Sequence, residues 1–146
     1  MTEDLNLYIR LVYFALEKEK NNYFDKQDLT ASQGDILLYL GYLNKRNKEA
    51  SQKDIEKHFR LTNPTVTGLL NRLEEKAFVE RKKSAEDGRT NLIHLTDKSL
   101  AMLKRSKLHK DEIERKLFHN FDESEQKLFI NQLKKLLENL KDEDNQ

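Results

Sequence analysis

Residues 51–96 read SQKDIEKHFRLTNPTVTGLLNRLEEKAFVERKKSAEDGRTNLIHLT, and this stretch decides the fold. Ser51 is the predicted N-cap of a short helix whose apolar residues, Ile55 and Phe59, face inward. A second helix is predicted after a turn at residues 60–62. Its apolar stripe, at the spacing i, i+3, i+4 and i+7, consists of Val66, Leu69, Leu70 and Leu73. A short helix, a tight turn and a second helix form the helix-turn-helix pattern, in which the second helix enters the DNA major groove.

A basic hairpin is predicted to follow the second helix. Its strands begin at Phe78 and at Asn91, and the pair Asp87-Gly88 between them is a strong turn signal. An arginine on a projecting ribbon, here Arg89, suits the narrow minor groove of DNA, because the negative potential of that groove attracts it. We expect Asp87 to hold the Arg89 guanidinium by a salt bridge. A solvated hairpin that carries this arginine by chance is the alternative.

The outward face of the second helix carries the candidate groups for reading DNA. Asn71 can bond bidentately to adenine, and Thr65 and Thr67 can touch base edges. Arg72 and Lys76 are expected to reach phosphates, which position a protein without specifying sequence. An ordinary solvated helix face is the alternative. The candidate DNA-binding residues are, in full, Ser51, Gln52, Asn63, Thr65, Thr67, Asn71, Arg72, Lys82, Lys83, Asp87 and Arg89.

The composition limits the classes of function. The chain has 146 residues and a net charge of +1, and its length corresponds to about one domain. It has no cysteine, which excludes disulfides, thiolate zinc sites and thiol-based redox sensing. No basic leader and no apolar run of membrane length is present, so we expect a soluble cytoplasmic protein without a cofactor. Residues 51–96 contain nine basic and seven acidic residues, so the small excess of positive charge lies in this stretch. Such a positive patch can neutralise phosphates.

Both ends of the chain are predicted to be helices rich in apolar residues. Residues 5–16, LNLYIRLVYFAL, are apolar on more than one face, and such a helix must be covered on more than one side. This favours a second subunit, with a central helix in a monomeric bundle as the alternative. An isologous dimer is the commonest way to close such surfaces. The residues predicted to form the dimer contact are Leu5, Ile9, Val12, Leu133, Leu136, Leu137 and Leu140.

The remaining helix starts are indicated by capping residues. These are Thr30 with Gln33, Asn63 before Pro64, Thr96, and Asp122 with Glu125. A polar break at residues 17–28 is expected to end the first helix, and the helix after Thr96 is expected to run toward His119. The predicted fold is mainly α with a small β-hairpin. It comprises a winged helix-turn-helix DNA-binding domain at residues 30–96, flanked by N- and C-terminal dimerisation helices at residues 1–29 and 97–146.

Three segments carry a more specific pattern: LTASQGDILLYL at residues 29–40, the stretch at 51–83, and DGRTNLIHLT at 87–96. The pattern combines a TVT-x-L-x-x-R-L-E-x-K helix with a D-x-R hairpin that ends in L-T. Its residues here are Thr65, Val66, Thr67, Leu69, Arg72, Leu73, Glu74 and Lys76, then Asp87, Arg89, Leu95 and Thr96. In these features the chain resembles the MarR family of bacterial winged-helix regulators, over nearly its whole length.

The resemblance implies an obligate homodimer, formed by the terminal helices, that binds double-stranded DNA at a pseudo-palindromic operator and acts as a repressor. It also implies a small aromatic or anionic effector that binds between the dimer helices and the DNA-binding lobe and weakens DNA binding. At three positions where the family usually has glycine, this chain has another residue. These are Arg60 in the turn, Ala77 after the second helix (the recognition helix of the family) and Ser99 after the hairpin (the wing). The absence of cysteine excludes the peroxide-sensing mechanism of one branch of the family.

Two other classes of function remain as alternatives. The same fold could bind another protein, as an antirepressor does, and the nearly neutral charge favours this. An enzyme is disfavoured because the four histidines lack metal-ligand spacing and the chain has no nucleophile elbow or Gly-rich phosphate loop. A metal-sensing role for His109, Asp111 and Glu112 stays open, although a solvated helix face also explains them. The candidates for lining a ligand pocket, which core packing explains equally well, are Tyr13, Tyr39, Tyr42 and His58.

Overall fold

Helices and one small antiparallel sheet make up the fold of the computed structural model, which describes residues 3–144. The elements are α1 (Leu5–Lys26), α2 (Ala31–Asn44), β1 (Ala50–Ser51), α3 (Gln52–Phe59), α4 (Asn63–Glu75), β2 (Val79–Lys83), β3 (Asn91–Leu95), α5 (Asp97–Leu117) and α6 (Glu123–Asp144). The predicted fold class, mainly α with a winged helix-turn-helix, is confirmed. None of the described helices combines the length and the apolar character needed to cross a bilayer.

The sheet has three strands in the order β1-β3-β2, one more than the sequence predicted. The hairpin register pairs Val79 with Leu95 and Lys83 with Asn91. The additional strand is the two-residue β1, in which Ala50 pairs with Ile93. Because β1 directly precedes α3, this pairing joins the start of the helix-turn-helix to the base of the hairpin.

Helix α1 is longer than predicted, and the expected polar break at residues 17–28 is wrong. The helix continues through this segment to Lys26. Its polar residues include good helix formers, and Lys20 forms ion pairs with Glu17 at 3.1 Å and Asp35 at 2.9 Å. Near the end of the helix, the Phe24 side chain is fully buried. The buried ring and the ion pair to α2 explain why a polar stretch remains helical.

The helix starts follow the capping residues with one exception. Reciprocal side-chain and backbone hydrogen bonds join Thr30 with Gln33, Ser51 with Asp54, Thr96 with Ser99, and Asp122 with Glu125. The predicted N-cap Asn63 is wrong, because Thr62 has the extended backbone of the N-cap and Asn63 is already helical. The Asn63 side chain instead donates to Glu56 Oε2 at 3.0 Å, across the turn between α3 and α4.

The hydrophobic core lies among α2, α3, α4, the sheet and the ends of α1 and α5. The predicted stripe of α4 supplies Val66, Leu70 and Leu73, all fully buried, and Leu69 packs at its margin. The chain divides into two compact units, Met1–Leu108 and His109–Gln146. The first unit contains the whole helix-turn-helix and hairpin, and in the second Phe118, Phe121 and Phe129 pack edge to face.

We expect Ala77→Gly to raise the free energy of unfolding by about 1 kcal/mol. Ala77 has a left-handed backbone, with φ of 65°, where a Cβ atom is strained and glycine is not. Urea denaturation of both proteins measures the difference. The control is Ala101→Gly on the exposed side of α5, which should lower the free energy of unfolding by about 1 kcal/mol. Equal destabilisation by the two glycines would contradict the strain at Ala77.

Candidate nucleic-acid interface

Helix α4 presents a polar face because its apolar stripe is anchored in the core. Thr65, Asn71 and Arg72 are exposed, and Thr67 is half-buried. Gly68 lies on the same side of the helix, and a Cβ atom placed on it would meet nothing within 4 Å. The backbone at Gly68 is therefore open to close approach by another molecule.

The C-terminal end of α4 is held by two lysines. Lys76 Nζ donates to the backbone oxygen of Asp28 at 2.6 Å and to Gln33 Oε1 at 3.1 Å. Lys98 Nζ donates to the backbone oxygen of Lys76 at 2.6 Å, and its ammonium group lies 4.3 Å from the centre of the Phe78 ring. The Lys76 ammonium, which we expected to reach phosphate, therefore ties α4 to the α1–α2 connection.

The candidate DNA-binding residues near the start of α3 and α4 form hydrogen bonds within the protein. Gln52 Nε2 donates to Thr67 Oγ1 at 2.8 Å, which joins α3 to the middle of α4. The hydroxyl groups of Thr62 and Thr65 lie 2.9 Å apart. The Ser51 hydroxyl caps α3. These bonds preset the side-chain conformations, and preset groups lose less entropy when they bind a partner.

The first hairpin strand contacts α4 through Arg81. Its Nη2 atom donates to Asn71 Oδ1 at 2.5 Å, and its Nε atom lies 3.7 Å from Glu74 Oε2. The neighbouring Lys82 and Lys83 are exposed, and Lys82 Nζ lies 3.7 Å from Glu80 Oε2. Arg81 is therefore bound to α4, whereas Lys82 and Lys83 are exposed to solvent.

The tip of the hairpin is organised by the Asp87 carboxylate. It accepts hydrogen bonds from the backbone N–H of Arg89 at 3.0 Å and from the Thr90 hydroxyl at 2.9 Å. The predicted salt bridge to the Arg89 guanidinium is wrong, since no ion pair joins the two side chains in the described part of the chain. The carboxylate shapes the turn through the backbone, and the Arg89 side chain remains exposed.

The same two contacts favour the ionised form of Asp87. The Arg89 N–H and then the Thr90 hydroxyl lower the pKa of its carboxyl group. Since the pKa in the folded state lies below the unfolded value, the carboxylate stabilises the turn at any pH above the ordinary aspartate pKa. That contribution is lost as the pH falls through the lowered pKa. The turn that presents Arg89 is thus fully supported at neutral pH.

Comparison with known proteins agrees with the helix-turn-helix and hairpin described above. A model of the MarR family matches residues 27–90, from the end of α1 to the hairpin tip. Over these residues the chain matches the MarR family. It is 32% identical over 92 residues to YdgJ, an HTH-type transcriptional regulator of Bacillus subtilis strain 168. That match covers 63% of this chain and 56% of YdgJ, so the matched region spans little more than half of that relative.

Further MarR-type relatives match over most of the chain. The HTH-type transcriptional repressor YetL of Bacillus subtilis strain 168 is 29% identical, with 93% of this chain and 81% of YetL covered. MepR, a transcription regulator of the Staphylococcus aureus multidrug efflux pump MepA, superposes with a TM-score of 0.80 at 27% identity, covering 94% and 99% of the two chains. The structure of MepR in complex with DNA gives a TM-score of 0.70 at 29% identity, covering 92% and 98%.

The MarR-type chain has many exposed apolar residues at its two ends. Among the candidates for dimer contact, Leu133 is half-buried, and the exposed ones are Leu5, Ile9, Val12, Leu136, Leu137 and Leu140. Tyr8, Leu11 and Phe14 of α1 are also more than half exposed. Each end of the chain therefore carries exposed apolar side chains of the kind that a partner molecule can cover.

The candidate aromatic residues for an effector pocket of this MarR-type chain do not form one cluster. Tyr39 of α2 stacks on His58 of α3 with ring centres 4.0 Å apart, whereas Tyr42 lies under the Arg46 guanidinium and Tyr13 is exposed on α1. Burial, and secondarily the Asp54 carboxylate, raises the pKa of the Tyr39 hydroxyl, so that group is neutral at ordinary pH. The stacked pair joins α2 to α3.

The open metal-sensing interpretation gains no support within residues 3–144. No group of three or more potential ligands there could hold a metal ion, and this includes the neighbourhood of His109 and Asp111.

Arg81 is absent from the candidate DNA-binding residues predicted from the sequence, although a signal for its position on the face toward α4 was present. Strand residues two apart lie on the same face of a sheet. Val79 is buried against the core, so Arg81 must share the face that contacts α4. The roles of Lys76 and Lys98 had no such local signal, because their acceptors are distant in sequence: the backbone oxygens of Asp28 and Lys76 and the Gln33 side-chain oxygen.

Proposed function

We propose that this chain is a homodimeric repressor that binds a pseudo-palindromic operator in double-stranded DNA. Helix α4 would lie in the major groove and the hairpin tip in the flanking minor groove. The observation that carries the proposal is the exposed polar face of α4, open at Gly68, in one compact unit with a hairpin whose turn presents Arg89. The solved complex of MepR with DNA and the name of YetL as a repressor support it.

The dimer is proposed from the apolar ends of the chain. Residues 1–29 and 97–146 would supply the dimer contact, and residues 30–96 the DNA-binding domain. Support comes from the exposed leucines of α6 and the exposed aromatic and aliphatic residues of α1. A two-fold axis would place the two recognition helices about one helical turn apart, roughly 10 base pairs between half-site centres. Release by a small aromatic or anionic effector stays a prediction from the resemblance to the MarR family.

Arg89→Ala is expected to weaken operator binding about tenfold or more. A hydrogen bond to a charged group contributes about 1.5–3 kcal/mol, and a dimer loses the contact twice. Fluorescence anisotropy with an operator obtained by selection from random DNA measures the affinity, and sedimentation checks that the dimer persists. Arg105→Ala on α5 is the charge-matched control and should bind as tightly as the unmodified chain. Equal weakening by both variants would reject a specific role of the wing.

The alternative function is a protein-interaction module, such as an antirepressor, on the same fold. The net charge of +1 favours it, because DNA-binding proteins are commonly more basic. A DNA shift assay at low salt separates the two functions. A chain that binds no member of a random DNA pool, while remaining dimeric and folded, would support the interaction module.

A further inference from the structure

Asn71, in the polar face of α4, is held in a defined orientation by Arg81. A guanidinium group has only hydrogen-bond donors, so the Asn71 atom that faces Arg81 Nη2 must be the carboxamide oxygen. This assigns the amide, whose oxygen and nitrogen are otherwise easily interchanged. Among the described residues, the Asn71 nitrogen donates no hydrogen bond within the protein, and it is therefore available to a ligand.

Several contacts hold Arg81 in place for this orientation. The Arg81 side chain is 21% exposed, and Glu74, one helical turn after Asn71, forms an ion pair with it. Arg81 pairs in the sheet with the buried Ile93, while Phe78 N–H donates to the Leu73 oxygen at 2.8 Å and closes the link between α4 and β2. Strand and helix cannot separate without breaking these contacts. Asn71 and Arg81 therefore form one preorganised unit.

This unit presents hydrogen-bond donors and a positive charge. Bidentate recognition of adenine requires the asparagine oxygen to accept from the N6 amino group while the nitrogen donates to N7. Here the guanidinium competes for that oxygen, and its charge repels an amino donor. Guanine offers two acceptors, N7 and O6, on its major-groove edge. A donor pair made of the Asn71 nitrogen and the Arg81 guanidinium is complementary to that edge.

We propose that Asn71 and Arg81 together recognise guanine in each operator half-site, with Arg81 as the residue that determines the specificity of Asn71. The inference rests on the proposed DNA-binding function and deepens it. It replaces the adenine contact that the sequence alone suggested for Asn71. Arg81 thereby acts both as the connection between the wing and α4 and as a determinant of sequence preference.

Selection of bound sequences from random DNA tests the pair. The unmodified chain should recover guanine at one position of each half-site, preferred over adenine at least about fivefold, as expected for a good bidentate contact. Asn71→Ala should abolish the preference at that position only. Arg81→Met frees the carboxamide oxygen and removes the charge, and should shift the position toward adenine. Lys82→Met removes the neighbouring exposed cation on β2, a candidate phosphate contact, so it should weaken binding to all sequences equally and leave the base preference unchanged.

A second variant covers the case in which Arg81→Met disturbs the hairpin. Asn71→Asp keeps an acceptor for Arg81 but removes the nitrogen donor, so it should lose guanine preference while circular dichroism and dimerisation stay unchanged. Adenine at the Asn71-dependent position of the unmodified chain, or a position insensitive to Asn71→Ala, would overturn the proposal. Recovery of no sequence at all by the unmodified chain would instead reject the DNA-binding function on which the proposal rests.

Discussion

Phe24→Ala is expected to lower the free energy of unfolding by about 3–5 kcal/mol, the range for removing a fully buried phenylalanine. The Phe24 ring lies directly on Gly34 of α2. An ideal Cβ atom on that glycine would be only 2.3 Å from Phe24 Cδ2. Gly34 has no side chain that could fill the space left by the ring, so we expect a cavity. Urea denaturation followed by circular dichroism measures the loss.

The contact also predicts how two substitutions combine. Gly34→Ala alone should destabilise by about 1–3 kcal/mol, because the new methyl group overlaps the ring. In the Phe24→Ala background the overlap is absent, and alanine is favoured over glycine in a helix by about 1 kcal/mol. The same substitution should then be neutral or stabilising, with a coupling energy of at least about 1 kcal/mol.

Gly68→Ala is the matched control for this pair of substitutions. It introduces the same methyl group inside a helix, but into open space, so it should stabilise the fold by up to about 1 kcal/mol. Additive effects of Phe24→Ala and Gly34→Ala would show that the ring does not restrict Gly34. If Gly68→Ala destabilised the fold, the gain in helix propensity that we assume for Gly34→Ala would be contradicted.

Raising the salt concentration from 50 to 200 mM should weaken operator binding by about 1000-fold. If the dimer neutralises about six phosphates, log affinity falls with log salt at a slope of about −5, and fourfold more salt then gives that factor. The cations available for these contacts are exposed: Arg72, Lys82, Lys83 and Arg89. Lys76 is excluded from this set because its ammonium is bound to Asp28 and Gln33.

Fluorescence anisotropy titrations at several salt concentrations measure the slope of log affinity against log salt. Single substitutions then show which residues contribute to that slope. Lys83→Ala should reduce the slope by about 1 per subunit, as expected for a phosphate contact. Lys76→Gln should leave the slope unchanged even if the affinity falls, because Lys76 holds α4 in place within the protein. A slope near zero for the unmodified chain would contradict the electrostatic basis of the proposed DNA binding.

Much of the fold was predictable from local sequence. Four capping pairs each join residues three positions apart, as in Thr30 with Gln33 and Ser51 with Asp54, and the sequence predicted the first residue of each pair. The apolar stripe of α4 and the second hairpin strand at Asn91–Leu95 were likewise placed correctly. Such signals succeed because hydrogen bonds at helix ends and the periodicity of helices and strands depend on neighbours in the chain.

The candidate interface was predictable in position but not in detail. The exposed face of α4 and the hairpin tip follow from periodicity and turn residues, and residues such as Thr65, Thr67 and Arg89 stay predictions for DNA contact. Which polar groups remain free for DNA was decided by contacts across the fold. Asn71 is bound by Arg81, ten positions away, and Lys76 by Asp28, forty-eight positions away.

By itself, then, the sequence determined where helices begin, which faces are apolar and that a basic hairpin follows a helix-turn-helix. Only the tertiary structure decided that α1 continues through a polar segment, that Lys76 faces inward and that Arg81 controls the orientation of Asn71. The physical reason is that a charged side chain three to five bonds long can reach several partners. Packing selects among them, because the partner within reach depends on which helices and strands lie side by side.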